Sequence, residues 1–176
     1  MNTGMNTDSV SQSDFLVVMG IAGTGKTEIA SRLAEALDCQ WIEADRLHSP
    51  ENVERMRQGI GLTDEQRWPW LTAVCDAALA EPGRPVVIAC SALRRRYRDF
   101  MRDRLGAVRF LFLDGSAELI EQRLGARKSH FATTSLLASQ LATLEPPADD
   151  ETPVRLDIAL TPTEIVAQAV AVLRAG

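Results

Sequence analysis

Cysteine is scarce in this chain, and Cys39, Cys75 and Cys90 form no CxxC pair. An odd and widely spaced set argues against a disulfide framework and lacks the spacing of a zinc site. Free thiols in a reducing cytosol are the expectation, with Cys90 buried at a strand end. Positive charge is not in excess either: the formal net charge is -5, which argues against a general nucleic-acid binder. No apolar run approaches the roughly 18 residues of a membrane span, so no membrane partner is expected. Residues 1–14, MNTGMNTDSVSQSD, hold no apolar stretch of the kind a secretory signal needs, and read as a disordered leader. There is no internal repeat. The acidic, proline-rich stretch EPPADDETP at 145–153 is short and reads as a surface loop.

What is present suits one soluble domain over residues 15–176. The 176 residues are 45% apolar and 24% charged, ordinary values for a chain able to bury a sizeable core. Apolar runs alternate with helical patterns. DFLVVMG (14–20), QWIEAD (40–45), RPVVIAC (84–90), VRFLFLD (108–114) and VRLDIAL (154–160) read as strands. Helices are expected over 26–37, 49–56, 68–80, 94–105 and 116–124, with a last one opening at TPTE, where Thr161 and Glu164 form a capping box. Ser49 caps the second helix, with Pro50 at its first position. Strands separated by helices predict an α/β fold: a doubly wound, five-stranded parallel sheet.

The stretch GIAGTGKT at 20–27 fits G-x-x-x-x-G-K-[ST], with Gly20, Gly25, Lys26 and Thr27 in the fixed places. It follows a strand and opens a helix. Such a loop wraps backbone N–H groups round nucleotide phosphates, its lysine reaches the outer phosphates, and its hydroxyl holds Mg2+. A P-loop NTPase is the reading.

Four further stretches narrow the acceptor. Asp45 stands just past the second strand, where doubly wound sheets bind ligands. A carboxylate there accepts a hydroxyl proton or holds an Mg2+ water, or it is a surface-turn aspartate. His48, close by, orients a substrate hydroxyl or caps a turn. In GLTDEQRWPWL (61–71), Arg67 lies among tryptophans and a proline, pre-organised to pair with a carboxylate or phosphate, or else snorkelling from the core. In CSALRRRYRDFMR (90–102), Arg94, Arg98 and Arg102 share a helix face, with Arg94 and Arg98 expected nearest the pocket. In QRLGARKSHF (122–131), Arg123 and Arg127 share a face round Gly125, and Lys128 and His130 add charge. That basic stretch suits a mobile lid over about 122–135, or an ordinary exposed helix end.

Taken in order, D-x-L-H-x-x-x-N, R-x-P-W, C-S-A-L-x-x-x-Y-R and H-F…L-L-x-S-Q, with LDGSAELIEQRL and LATLEPP, resemble the gluconokinases of the small P-loop kinase type over residues 15–175. The resemblance implies a nucleoside-monophosphate-kinase-like fold and phosphorylation of D-gluconate at its C6 hydroxyl by ATP. It also implies Mg2+ as cofactor, a cytoplasmic homodimer and a flexible lid. Carried over residue by residue, Gly20, Gly23, Thr24, Gly25, Lys26 and Thr27 bind the ATP phosphates, with Thr27 and, through water, Asp45 on Mg2+. Lys26, Asp45, Arg123 and Arg127 are the catalytic set. Asp45, His48, Arg67, Arg98 and His130 fall on acceptor-pocket positions. Three positions depart from the family pattern. Ala44 stands for a glycine that would matter only at positive φ, Gln66 for an acid before the arginine, and Ala22 for a serine. Rival readings keep the scaffold but change the acceptor to shikimate, adenylylsulfate or a nucleoside monophosphate, or make the chain a non-enzymatic ATP-binding switch.

Overall fold

The computed structural model describes residues 13–126 and 131–175, with side-chain surroundings for 13–124 and 137–175. Residues 1–12 of the expected leader, and Arg127, Lys128 and His130 of the expected lid, lie outside the described residues. Strands β1 (Phe15–Met19), β2 (Gln40–Glu43), β3 (Val86–Ala89), β4 (Val108–Asp114) and β5 (Val154–Asp157) form one sheet in the order β2-β3-β1-β4-β5. Every pairing is parallel. Helices α1 (Lys26–Leu37), α2 (Pro50–Arg57), α3 (Asp64–Ala80), α4 (Arg95–Leu105), α5 (Ala117–Ala126), α6 (Phe131–Thr143) and α7 (Pro162–Ala175) complete the fold. Among the described residues, no helix is long and apolar enough to cross a membrane.

The period of two along β1 divides the core. Leu16 and Val18 turn to one face, where Ile29, Ala30 and Leu33 of α1 and Ile165, Ala169 and Leu173 of α7 cover them. Phe15, Val17 and Met19 turn to the other, against Leu71, Val74 and Cys75 of α3 and Tyr97, Met101 and Leu105 of α4. Burying both faces explains why the strands are continuous apolar runs rather than alternating ones. The helix after β1 and the helix after β3 thus lie on opposite faces of neighbouring strands. The crevice at their carboxyl ends is the topological switch point where such sheets take ligands.

The last strand ends at Asp157, short of the expected 160, and three other differences bear on the site. The strand β2 stops at Glu43, because a 3-10 turn, Ala44–Leu47, starts there with the Glu43 side chain accepting the Asp45 N–H. Helix α3 starts at Asp64 rather than 68, since Thr63 and Gln66 form a capping box, and Pro69 is carried inside the helix. Helix α6 follows a β-branched, polar opening that gives little helical pattern.

Arg98 is the main correction to the expected site. Its side chain is 0% exposed and lines neither cavity at the crevice. Nε and Nη2 grip the Glu151 carboxylate at 2.7 and 3.1 Å, Nη1 donates to Ala92 O at 2.8 Å, and Nη2 donates to Glu145 O at 3.0 Å. Arg102 adds a 2.7 Å bond to the same carboxylate. Burial acts to raise the Glu151 carboxyl, but the Arg98, Arg102 and Ala148 N–H bonds outweigh it and bring it down to about 2. Arg98 is therefore a clasp between α4 and the 145–151 segment. Ala92, held through its carbonyl, sits at φ 44, a strained value for a residue with a Cβ.

Glu151→Ala leaves Arg98 buried and uncompensated, and should lower stability by about 3–5 kcal/mol, read as a fall in the urea midpoint at constant slope. The stability that the Glu151 carboxylate gives, complete above its ordinary range near 4.5, should be lost as pH falls toward about 2. A change below 1 kcal/mol would show that the pair is solvated.

Candidate active site

The loop after β1 owes its shape to residues that tolerate φ above zero. Gly23 and Gly25 sit at φ 85 and 90, and a Cβ on Gly23 would stand 2.8 Å from Leu124 Cγ. Gly25 is the N-cap of α1 and makes no side-chain cap bond. The first N–H groups of α1 and the positive end of its dipole are thus presented to an anion. Thr24 Oγ1 donates to Ile21 O at 2.8 Å and Lys26 Nζ donates to the same carbonyl at 3.1 Å, which ties the turn to its own lysine.

Two cavities meet at this loop, sharing Gly23, Gly25 and Glu28. The larger, about 780 Å³, brings Lys26 and Thr27 together with Asp45, His48 and Arg67 on one wall system. The smaller, about 270 Å³, is lined by Thr24, Arg123, Leu160, Pro162 and Ile165. Arg123 is therefore set apart from Asp45. Its Nη2 donates to Ile158 O, and it borders the second cavity rather than the first.

Arg67, His48 and Trp70 on the larger cavity are held by neighbours. Arg67 donates to Tyr97 Oη at 2.7 Å, and Tyr97 Oη donates in turn to the Asp64 carboxylate. Arg67 also lies 3.8 Å from Asp64 and 5.0 Å from the centre of the Tyr97 ring. Gln66 is engaged in the capping box and takes no part in fixing Arg67. His48 stacks on Trp70 at 4.1 Å, and its Nδ1 lies 3.5 Å from Asn52 Nδ2. With Nδ1 accepting from the amide, the neutral ring carries its proton on Nε2, as a donor. Burial first, and the Arg67 charge second, push the His48 ring down to about 4. Trp70 Nε1 donates to Ala44 O at 2.8 Å. Ala44 is buried and is not among the positive-φ residues, so the extra methyl costs the turn nothing.

Several groups at the site carry no expectation from sequence. Glu43 ends β2, and its carboxylate accepts the Thr27 hydroxyl. QWIEAD holds both acids, but its pattern singles out only Asp45. The hydroxyl-plus-carboxylate oxygen pair at Thr27 and Glu43 suits a hard cation such as Mg2+. Tyr97 and Ser91 in C-S-A-L-x-x-x-Y-R and Gln140 in L-L-x-S-Q carry no role that spacing alone reveals. Cys90 and Cys75 are buried free thiols, which burial raises to about 12 and 11.

A phosphate loop on the second-face switch point of a five-stranded parallel sheet, facing a cavity with a carboxylate and a fixed arginine, defines a small-molecule kinase of the P-loop class. The family model described as an AAA domain matches residues 15–147. The thermoresistant gluconokinase of Escherichia coli (strain K12) is 40% identical over 163 residues, covering 91% of this chain and 93% of that protein. The gluconokinase of Gluconobacter oxydans (strain 621H) is 48% identical over 145 residues, covering 81% of each. The crystal structure of a gluconokinase from Sinorhizobium meliloti 1021 superposes with a TM-score of 0.85 at 43% identity, over 94% of both chains. The chain belongs to the gluconokinase family. Shikimate kinase from Aquifex aeolicus, at 16% identity, and an APS kinase from Mycobacterium tuberculosis, at 18%, share the fold alone.

The His48 ring should titrate near pH 4 rather than 6.5 in a histidine-resolved NMR titration. Its depressed value means the unfolded chain takes up a proton that the native one declines. This residue's contribution should therefore fall as pH drops from about 6.5 to about 4, and His48→Gln should remove that slope. A midpoint near 6.5 would place the ring in solvent.

Proposed function

We propose that the chain transfers the γ-phosphoryl group of ATP to the C6 hydroxyl of D-gluconate, giving 6-phosphogluconate and ADP. The observation that carries this is a single cavity wall shared by Lys26, Thr27, Asp45, His48 and Arg67. The relatives named gluconokinase support the acceptor.

The loop from Gly20 to Thr27 holds the phosphates through its amides other than that of Ala22, which Gln140 accepts, and Lys26 reaches the β and γ oxygens. Asp45 takes the proton of the C6 hydroxyl as that oxygen bonds to the γ-phosphorus and the bond to the β–γ bridging oxygen breaks. ADP leaves with the electron pair. Phosphoryl transfer has a loose transition state, so positioning and charge matter more than base strength. Thr27 and Glu43, with Asp45 through water, are the residues that would hold Mg2+, which neutralises charge on the phosphates when bound. His48, a neutral donor, orients an acceptor hydroxyl. Arg67, pinned by Tyr97 and Asp64, pairs the C1 carboxylate. Gluconate is an anion and the chain is net acidic, at -5, so the local field of Lys26 and Arg67 must outweigh the overall one.

Arg123 takes a different part from the one its motif suggests. Beside Thr24, Leu160 and Pro162, it borders the apolar cavity on the far side of the loop, and that cavity takes the nucleoside end of ATP. Arg127 on the phosphoryl group and His130 on the acceptor rest on the family resemblance. So do the homodimer and the cytoplasmic location, the latter also supported by three free thiols. Residues 15–176 make one domain in this reading.

A panel of gluconate, shikimate, adenylylsulfate and nucleoside monophosphates in a coupled ADP-release assay tests the acceptor. Gluconate should dominate; equal or greater turnover of another acceptor removes the assignment, and tight ATP binding with no acceptor-dependent release would favour a switch. Asp45→Asn should cut kcat by about 10²–10⁴-fold while ATP still binds; an unchanged kcat makes Asp45 structural. Arg67→Ala should raise KM for gluconate about ten- to hundredfold, from the loss of one charge-assisted pair, with KM for ATP little moved.

A further inference from the structure

A contact between distant parts of the chain stands inside the larger cavity. Ala22 N donates to Gln140 Oε1 at 2.6 Å, across 118 positions of sequence. Ala22 belongs to the phosphate loop, and Gln140 lies on α6; both line the cavity with Lys26 and Asp45.

A carboxamide has one acceptor end and one donor end. A main-chain N–H on Oε1 fixes which end is which. Gln140 Nε2 then keeps two N–H donors, and no hydrogen bond joins them to a partner among the described residues. The turn of α6 that carries Gln140 is also immobilised. Ser139 packs so tightly on Gly61 that a Cβ there would stand 2.6 Å from Ser139 Oγ. Just past the helix, Glu145 N donates to Leu93 O at 2.7 Å and the Glu145 carboxylate accepts the Arg95 N–H at 2.9 Å. A donor with a fixed direction, on the wall beside a phosphate-binding lysine, is what stabilisation of developing charge requires.

Resting on the kinase reading above, we propose that Gln140 is a further catalytic residue. Its Oε1 holds the Ala22 peptide while Nε2 donates a hydrogen bond to a non-bridging oxygen of the phosphoryl group in transfer. It forms no covalent bond and moves no proton. Its neutral donor adds to Lys26 without a second charge that would hold the product phosphate.

Three variants test this: Gln140→Glu, which keeps an acceptor for Ala22 N–H and loses the donors; Gln140→Met, which keeps the length and loses both; and Gln140→Ala. Folding is checked by thermal melt, and binding by calorimetry with a non-hydrolysable ATP analogue. Each variant should lose about a hundredfold in kcat, the scale of one lost oxyanion donor, with Gln140→Glu at least as impaired as Gln140→Ala. KM for ATP and acceptor should stay within threefold. A residue that only props the loop predicts losses in ATP binding or in the melt, with near-normal kcat for Gln140→Met and Gln140→Ala at saturating ATP. A fall of less than tenfold in Gln140→Met and Gln140→Ala, or a loss confined to KM, overturns the proposal. Rates are compared with the unaltered chain on whichever acceptor it turns over, or on acceptor-independent ATP hydrolysis if none is used. A negative result with gluconate thus sinks the acceptor assignment and still scores Gln140.

Discussion

Helix α1 begins on a residue with no side chain to cap it, and its first N–H groups need an outside partner. Gly25 leaves those donors open, at the positive end of twelve aligned peptide dipoles. Everything else at the crevice is disposed about that opening. Lys26 is folded back on Ile21 O, Thr27 is matched to Glu43, and Asp45 stands just past the end of β2. The parallel sheet makes this possible, because it delivers the carboxyl ends of β1, β2 and β3 to the same edge.

Two arginines from quoted motifs meet different fates, and the neighbouring acid decides which. Arg98 finds Glu151 inside the fold, where a bidentate pair compensates the burial of both charges. Arg67 finds Tyr97, a neutral oxygen, and stands farther from Asp64, at 3.8 Å. Its charge is oriented without being neutralised, and remains available to an anion. The Arg67 charge also helps to keep His48 neutral. A cation and an uncharged donor on the same cavity follow from one placement.

The sheet and its helices were legible because strands buried on both faces read as apolar runs, and because Ser49, Thr161 and Gly25 announce helix starts. The phosphate loop was legible from spacing alone. What stayed hidden depends on contacts between distant segments. Arg98 and Arg94 are indistinguishable in a helical repeat until Glu151, 53 positions on, claims one of them. Glu43 looks like a strand residue until Thr27 meets it. Arg123 is paired with Arg127 only by its spacing in the sequence, yet the turn after β5 draws the Arg123 guanidinium to Ile158 O. Local pattern carries the elements; the assignment of charged side chains to core, cavity or rim needs the third dimension.

Helix α4 serves two masters. Tyr97 supports Arg67 of the larger cavity, while Arg98 beside it and Arg102 one turn on secure the 145–151 segment. Substitutions accumulating over evolutionary time should be scarce on both of its inner flanks and concentrate at Asp103 and Arg104, which are exposed on the outside. Divergence toward new acceptors would have to enter through α2 and the 58–62 connection instead, where Val53 and Ile60 already stand open to water.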